Sequence, residues 1–137
     1  IMSNLERTLS IIKPDAVSRG LDNEIKEIFK SSGFLIIKEK KIQIEKSEAE
    51  RFYKVHETKP FYDDLCTYLS SGPIVVMVLE KENAVLENRE LMGATNPKDA
   101  AAGTIRKKYG ISIDKNSVHG SDSIENAKIE IDFFFKD

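Results

Sequence analysis

The residues best equipped for chemistry lie in one run, Asn116-Ser117-Val118-His119-Gly120-Ser121-Asp122-Ser123. A strand-like pattern ends at His119 and a helical one begins near Ser123, so the histidine stands beside a helix N-terminus. Such termini offer unpaired amides and a positive dipole end, which attract phosphate. A neutral imidazole held through one ring nitrogen can use the other as a nucleophile toward a phosphoryl group. Glu130, on the helix that follows, could fold back to hold the ring. A turn histidine among capping serines fits the same residues, and one histidine beside a glycine does not choose between the two.

Other candidates surround this run. Lys13-Pro14-Asp15 closes the first strand-like segment, and strand ends are where α/β layers bind ligands. A surface lysine before a turn fits equally. Arg89 and Arg106 flank a loop from Gly93 to Gly103. Guanidinium groups suit phosphate oxygens through bidentate hydrogen bonds, although helix arginines are also simply solvated. Lys59-Pro60-Phe61 puts a ring directly after a rigid bend, where it could stack on any nucleobase. Core packing is the plain alternative for Phe61 and for Tyr53. No Gly-x-x-x-x-Gly-Lys-Ser/Thr run, kinase-type glycine loop or zinc-spaced Cys/His set occurs.

The elements that must position these groups are short and alternate in type. Thr8–Ile12 is β-rich and stops before Pro14. Leu21, Ile25, Ile28 and Phe29 form one helical stripe that Gly33 ends. Residues 34–44 read as a long strand whose Lys38–Lys41 charge run marks a solvated edge or a hairpin-like region. Ser47-x-x-Glu50 predicts a capping box and a helix from Glu48. Pro60 breaks that pattern, and a second helix carries Leu65, Tyr68 and Leu69. Ile74–Leu79 is the near-continuous apolar run of a strand buried on both faces. Helices are expected over Asn83–Met92 and Ile105–Tyr109, the latter capped by Thr104. The last begins near Ser123 and presents Ile124, Ala127, Ile131 and Phe134 on one face. Strands alternating with helices imply a two-layer α/β or α+β sandwich, with the strand order left open.

Composition bounds the partners. The chain has 137 residues, which is one domain's length, with 21 basic against 23 acidic residues and a net charge of −2. That balance opposes sequence-independent nucleic-acid binding. No apolar run approaches the ~20 residues of a membrane helix, and no secretory signal is expected. Cys66 is the single cysteine, which excludes an intrachain disulfide and fits a reducing compartment.

In combination, these segments resemble one family. Arg7 through Val17, His56 to Phe61, Ser71-Gly72-Pro73, Leu91 to Pro97, Gly103-Thr104-Ile105-Arg106 and Asn116 through Ser123 stand in order along one short chain. From Arg7 to about Phe135 the chain is similar to nucleoside diphosphate kinases. The resemblance implies a single domain over residues 2–137. It implies an α+β sandwich of ferredoxin-like βαββαβ type, with helices on a four-stranded antiparallel sheet and a helical hairpin over the nucleotide. It implies ping-pong transfer of a γ-phosphoryl group from ATP or another triphosphate to a nucleoside diphosphate, with broad base and sugar tolerance.

In this resemblance His119 is the phosphorylated residue, and Glu130 and Ser121 orient it. Lys13, Tyr53, Arg89, Thr95 and Arg106 hold the phosphates, Lys13 and Asn116 reach the sugar hydroxyls, Phe61 stacks on the base, and Leu65 and Ile113 line its cleft. Mg2+ bridges the phosphates with few or no direct protein ligands, Asp122 being in reach through water. A cytoplasmic homo-oligomer is implied, tetramer or hexamer, with the loop through Pro97 as the usual assembly contact. Ala94 stands where relatives are often acidic, and Leu21-Asp22-Asn23-Glu24 lacks a glycine common before the first helix. Fold alone does not decide function, so a nucleotide-binding module that is never phosphorylated is the rival reading.

Overall fold

A computed structural model describes residues 5–112 and 115–135. Strand β1 (Leu5–Ile12) runs antiparallel to β3 (Ile74–Glu82) from Leu5↔Glu82 to Ile12↔Val75. Both strands are longer than their apolar patterns. Leu5–Arg7 and Glu80–Glu82 alternate too little to be read as strand, yet the ladder continues through them, and Arg7 Nε meets Glu80 Oε2 at 3.0 Å. Strand β2 (Leu35–Ile42) joins the other side of β3, and β4 (Val118–Gly120) joins the free side of β1. The order is β2-β3-β1-β4, with every neighbouring pair antiparallel. This is the ferredoxin-like α+β arrangement, in which β1 and β2 are parallel but separated by β3. The Lys38–Lys41 run lies on β2, an edge strand, which is the solvated-edge alternative.

Helices α1 (Pro14–Ser18) and α2 (Asp22–Ser31) follow β1. Then come α3 (Lys46–Phe52), α4 (Tyr62–Leu69), α5 (Ala84–Met92), α6 (Ile105–Tyr109) and α7 (Ile124–Phe134). Helix α1 has only five residues, too short to show a period in the sequence. β3 is apolar on both sides because the sheet has a core on each face. Val75, Met77 and Leu79 pack with Ile25, Phe29 and Met92, while Ile74 and Val76 pack with Leu9, Ile11, Tyr53 and Phe134.

Two local expectations are corrected. Helix α3 begins at Lys46, not Glu48, and the Ser47/Glu50 box does not form. The frame lies two residues earlier: Glu45 is the extended N-cap, and the Glu48 carboxylate accepts from its N–H at 3.5 Å. That start places Ala49 and Tyr53, four apart, on the buried face. In α7, Ala127 and Phe134 are buried, but Ile124 is 62% exposed in the first turn, so the apolar face starts one turn later.

Candidate active site

Strand β4 is three residues long, and its register does the positioning. Ser10↔Gly120, Ile11↔His119 and Ile12↔Val118 set His119 beside the buried centre of β1. The next residue is glycine, Gly120; a Cβ there would lie 2.7 Å from Met92 Cε and still nearer Asn88 Nδ2, so those side-chain ends would have to shift to admit one. Ser123 then caps α7, accepting from the Asn126 N–H at 3.0 Å. The eleven-residue helix carries Glu130 back to the histidine, where Oε1 lies 3.0 Å from His119 Nε2. The same Oε1 accepts from the buried Ser121 hydroxyl at 2.8 Å, and Ser121 Oγ in turn accepts from the Leu9 N–H at 3.3 Å. Ser121 therefore acts on the histidine through Glu130. A carboxylate only accepts, so Nε2 carries the ring proton and Nδ1 keeps its lone pair. Phe52 packs on the imidazole at 5.4 Å and 74°, with Tyr53 at 6.3 Å and 85°.

His119 lines a cavity of about 610 Å³, a size suited to a small ligand. Lys13, Tyr53, Phe61, Leu65, Arg89, Thr95, Arg106, Asn116 and Glu130 share it. All the expected site residues within the described region converge there except Ser121, one bond behind it; Ile113 lies outside the described residues. Lys13 is buried and donates through Nζ to Asn116 Oδ1 at 2.9 Å, and Asn116 Nδ2 donates to the Thr95 carbonyl at 3.0 Å. Phe61 is 45% exposed at the end of the α3–α4 turn, its ring 5.9 Å from that of His56.

Arg106 departs from its expected solvated setting. It is buried, with Nη1 donating to Gly93 O at 2.9 Å and Nη2 to Val118 O at 3.0 Å, while its buried Nε has no partner. Burial, and then Arg89, pull the guanidinium down to about 10, which leaves it cationic at neutral pH. Arg89 is exposed. Burial pushes the Tyr53 phenol up, with the Glu130 charge adding to it, so this hydroxyl stays a donor.

Sequence reasoning missed His56 and Phe52 as cavity residues. His56 was legible as the third residue after Tyr53, on the same helical side. Burial and then Lys59 hold it below the usual imidazole range, so it is neutral at pH 7. Cys66 is buried under α4 outside the cavity, and burial raises its thiol.

The cavity combines one activated imidazole with three cationic side chains and an exposed aromatic ring, a donor set for a polyanion bearing a flat group. Among the described residues no group of three His, Cys, Asp or Glu could hold a metal ion, and no helix is long and apolar enough to cross a membrane. Comparison with known proteins points the same way. A family profile described as nucleoside diphosphate kinase matches residues 6–137. The nucleoside diphosphate kinase of Campylobacter lari is 62% identical over 131 residues, and that of Campylobacter jejuni strain RM1221 is 61% identical over 132; each alignment covers 96% of both chains. A solved nucleoside diphosphate kinase from Aquifex aeolicus superposes with a TM-score of 0.95 at 41% identity, covering 96% of each chain. One from Encephalitozoon cuniculi gives 0.93 at 38%, covering 96% of this chain and 90% of its own.

Proposed function

The chain belongs to the nucleoside diphosphate kinase family, a family of phosphotransferases, and from that membership and the cavity's geometry we propose a ping-pong reaction through phosphorylated His119. In the first half, the Nδ1 lone pair attacks the γ-phosphorus of a bound triphosphate. The N–P bond forms as the bond to the β–γ bridging oxygen breaks, and that electron pair leaves with the diphosphate. In the second half, a terminal oxygen of a different diphosphate attacks the same phosphorus, and the N–P electron pair returns to Nδ1. The observation that carries this reading is the Ser121–Glu130–His119 chain, in which Nε2 donates to the carboxylate and the lone pair of the neutral ring is on Nδ1.

The remaining residues position and neutralise, which is most of what phosphoryl transfer requires. Arg106, Lys13 and the Tyr53 hydroxyl would meet the transferred group, with Arg89 and Thr95 on the other phosphates. Lys13 and Asn116 meet the sugar, and Phe61 and Leu65 the base. Mg2+ supplies charge neutralisation of the phosphates when bound. The cation-rich lining suits an ion carried in on the nucleotide, with Asp122 at the rim as the nearest exposed carboxylate. We place the protein in the cytoplasm as a homo-oligomer, tetramer or hexamer, which the open edge of β2 with its exposed Leu35 supports. Pro97 is buried against its own chain's Gly110, so contact through that loop would use the exposed Lys98 and Asp99.

Initial velocities with ATP varied at several fixed GDP concentrations test the reaction. Parallel double-reciprocal lines are expected, because the first product leaves before the second substrate binds. Intersecting lines would contradict a covalent intermediate, and no turnover would favour the rival binding module.

A further inference from the structure

Asp15 is a buried carboxylate that the reaction above does not use. It lines a shallow groove separate from the nucleotide cavity. Three donors converge on its two oxygens: the Tyr68 hydroxyl on Oδ1, and Arg19 Nη2 at 3.3 Å and the Ser117 hydroxyl at 3.2 Å on Oδ2. Arg19 Nη2 also donates to the Tyr109 carbonyl at 2.7 Å, and the Asp15 N–H donates to the Tyr68 oxygen at 2.7 Å. The carboxylate thus joins α1, α4, the end of α6 and the loop before β4.

Ser117 is the member of this group that leads to the cavity. It is buried and has a φ of +76°, in the left-handed region that a side-chain-bearing residue adopts only at a cost. Its carbonyl accepts the Lys13 N–H at 2.8 Å. Its chain neighbour Asn116 bonds Lys13 Nζ and the Thr95 carbonyl. The turn at Ser117 therefore sets both the backbone of Lys13 and the direction of Asn116.

We propose that Asp15 is a positioning residue for the nucleotide: its carboxylate holds Ser117 in the left-handed turn, and that turn aims Lys13 and Asn116 together at the ligand. Asp15 touches no reacting atom. An asparagine of the same shape would put an NH2 where one set of donors points and would remove the charge that faces Arg19. Glycine at position 117 needs no clamp, since it adopts positive φ freely. The inference rests on the nucleotide reading of the cavity.

The test is steady-state kinetics with ATP and GDP on wild type, Asp15→Asn, Ser117→Gly and the double variant. Wild-type turnover is the reference, and its absence would overturn the enzyme reading and this inference with it. Losing a hydrogen bond to a charged group should raise KM in Asp15→Asn by roughly tenfold; kcat should fall as well, because Lys13 meets the transferred group, so the rise in KM is the diagnostic reading. In the Ser117→Gly background the same substitution should raise KM by less than about threefold, since the turn no longer depends on the carboxylate. A merely structural Asp15 would lower the active fraction, so apparent kcat would fall with KM unchanged; that result overturns the proposal. So does an unchanged KM in Asp15→Asn, or an equal KM rise in both backgrounds. If Asp15→Asn is insoluble by itself, the double variant against Ser117→Gly decides: similar KM values support the clamp, and a KM about tenfold higher in the double variant overturns it.

Discussion

Arg106 gives one Nη1 hydrogen to the Gly93 carbonyl and one Nη2 hydrogen to the Val118 carbonyl, which fixes the guanidinium beside the cavity it lines and leaves further N–H groups on both nitrogens. Gly93 lines the cavity and Val118 precedes His119 on β4, so the side chain ties the two segments together and adds charge to the cavity. Arg106→Ala should lower kcat and kcat/KM together, because the lost charge acts where negative charge develops. It should also lower stability by about 1.5–3 kcal/mol, since buried hydrogen bonds to a cation are lost, and shift Tm by several degrees. Arg89→Ala should act mainly through KM and leave Tm near wild type, because Arg89 is exposed. Equal kcat and KM effects in the two would mean the roles are not divided this way; wild-type kcat in Arg106→Ala would remove it from the site. In the sequence Arg106 reads either as a phosphate ligand or as a solvated helix arginine. Its burial was not legible, because two carbonyls distant in the chain create it.

In the proposed reaction the α3–α4 hairpin is the element that holds the base. Tyr53 anchors it in the core below, and Phe61 stands exposed after the Pro60 bend. A ring that only stacks does not choose among bases, so Phe61 should serve all of them alike. Stacking on an aromatic is worth roughly 1–3 kcal/mol, and Phe61→Ala should raise KM for ADP, GDP, CDP and UDP by a similar factor. A loss confined to one base, measured in parallel assays, would reveal an edge contact.

Elements were legible in the sequence where the apolar pattern or a cap is local. The β3 run, the α2 stripe and the Thr104 cap of α6 each carry a local signal. The polar ends of β1 and β3 do not, because cross-strand pairing holds them. The start of α3 was misplaced because two capping frames overlap at 45–50, and only the burial of Ala49 and Tyr53 selects between them. His119, Glu130, Lys13 and Arg106 were each legible as candidates, yet their convergence came from the motif resemblance. Periodicity contains nothing that pairs β4 with β1.

At the scale of the whole molecule, a net charge of −2 coexists with a cavity holding Lys13, Arg89 and Arg106. The sheet separates these functions. Its two cores fix the strands, and the short β1–β4 pairing carries the histidine to the cavity while α7 returns Glu130 to it. The proposed reaction requires His119 itself to carry the phosphoryl group between nucleotides. Intact-mass measurement after incubation with ATP and Mg2+ tests it most directly. Wild type should gain the mass of one phosphoryl group, acid-labile and discharged by GDP, and His119→Ala should gain none. Phosphorylation retained in His119→Ala, or turnover by wild type without any adduct, would contradict the account.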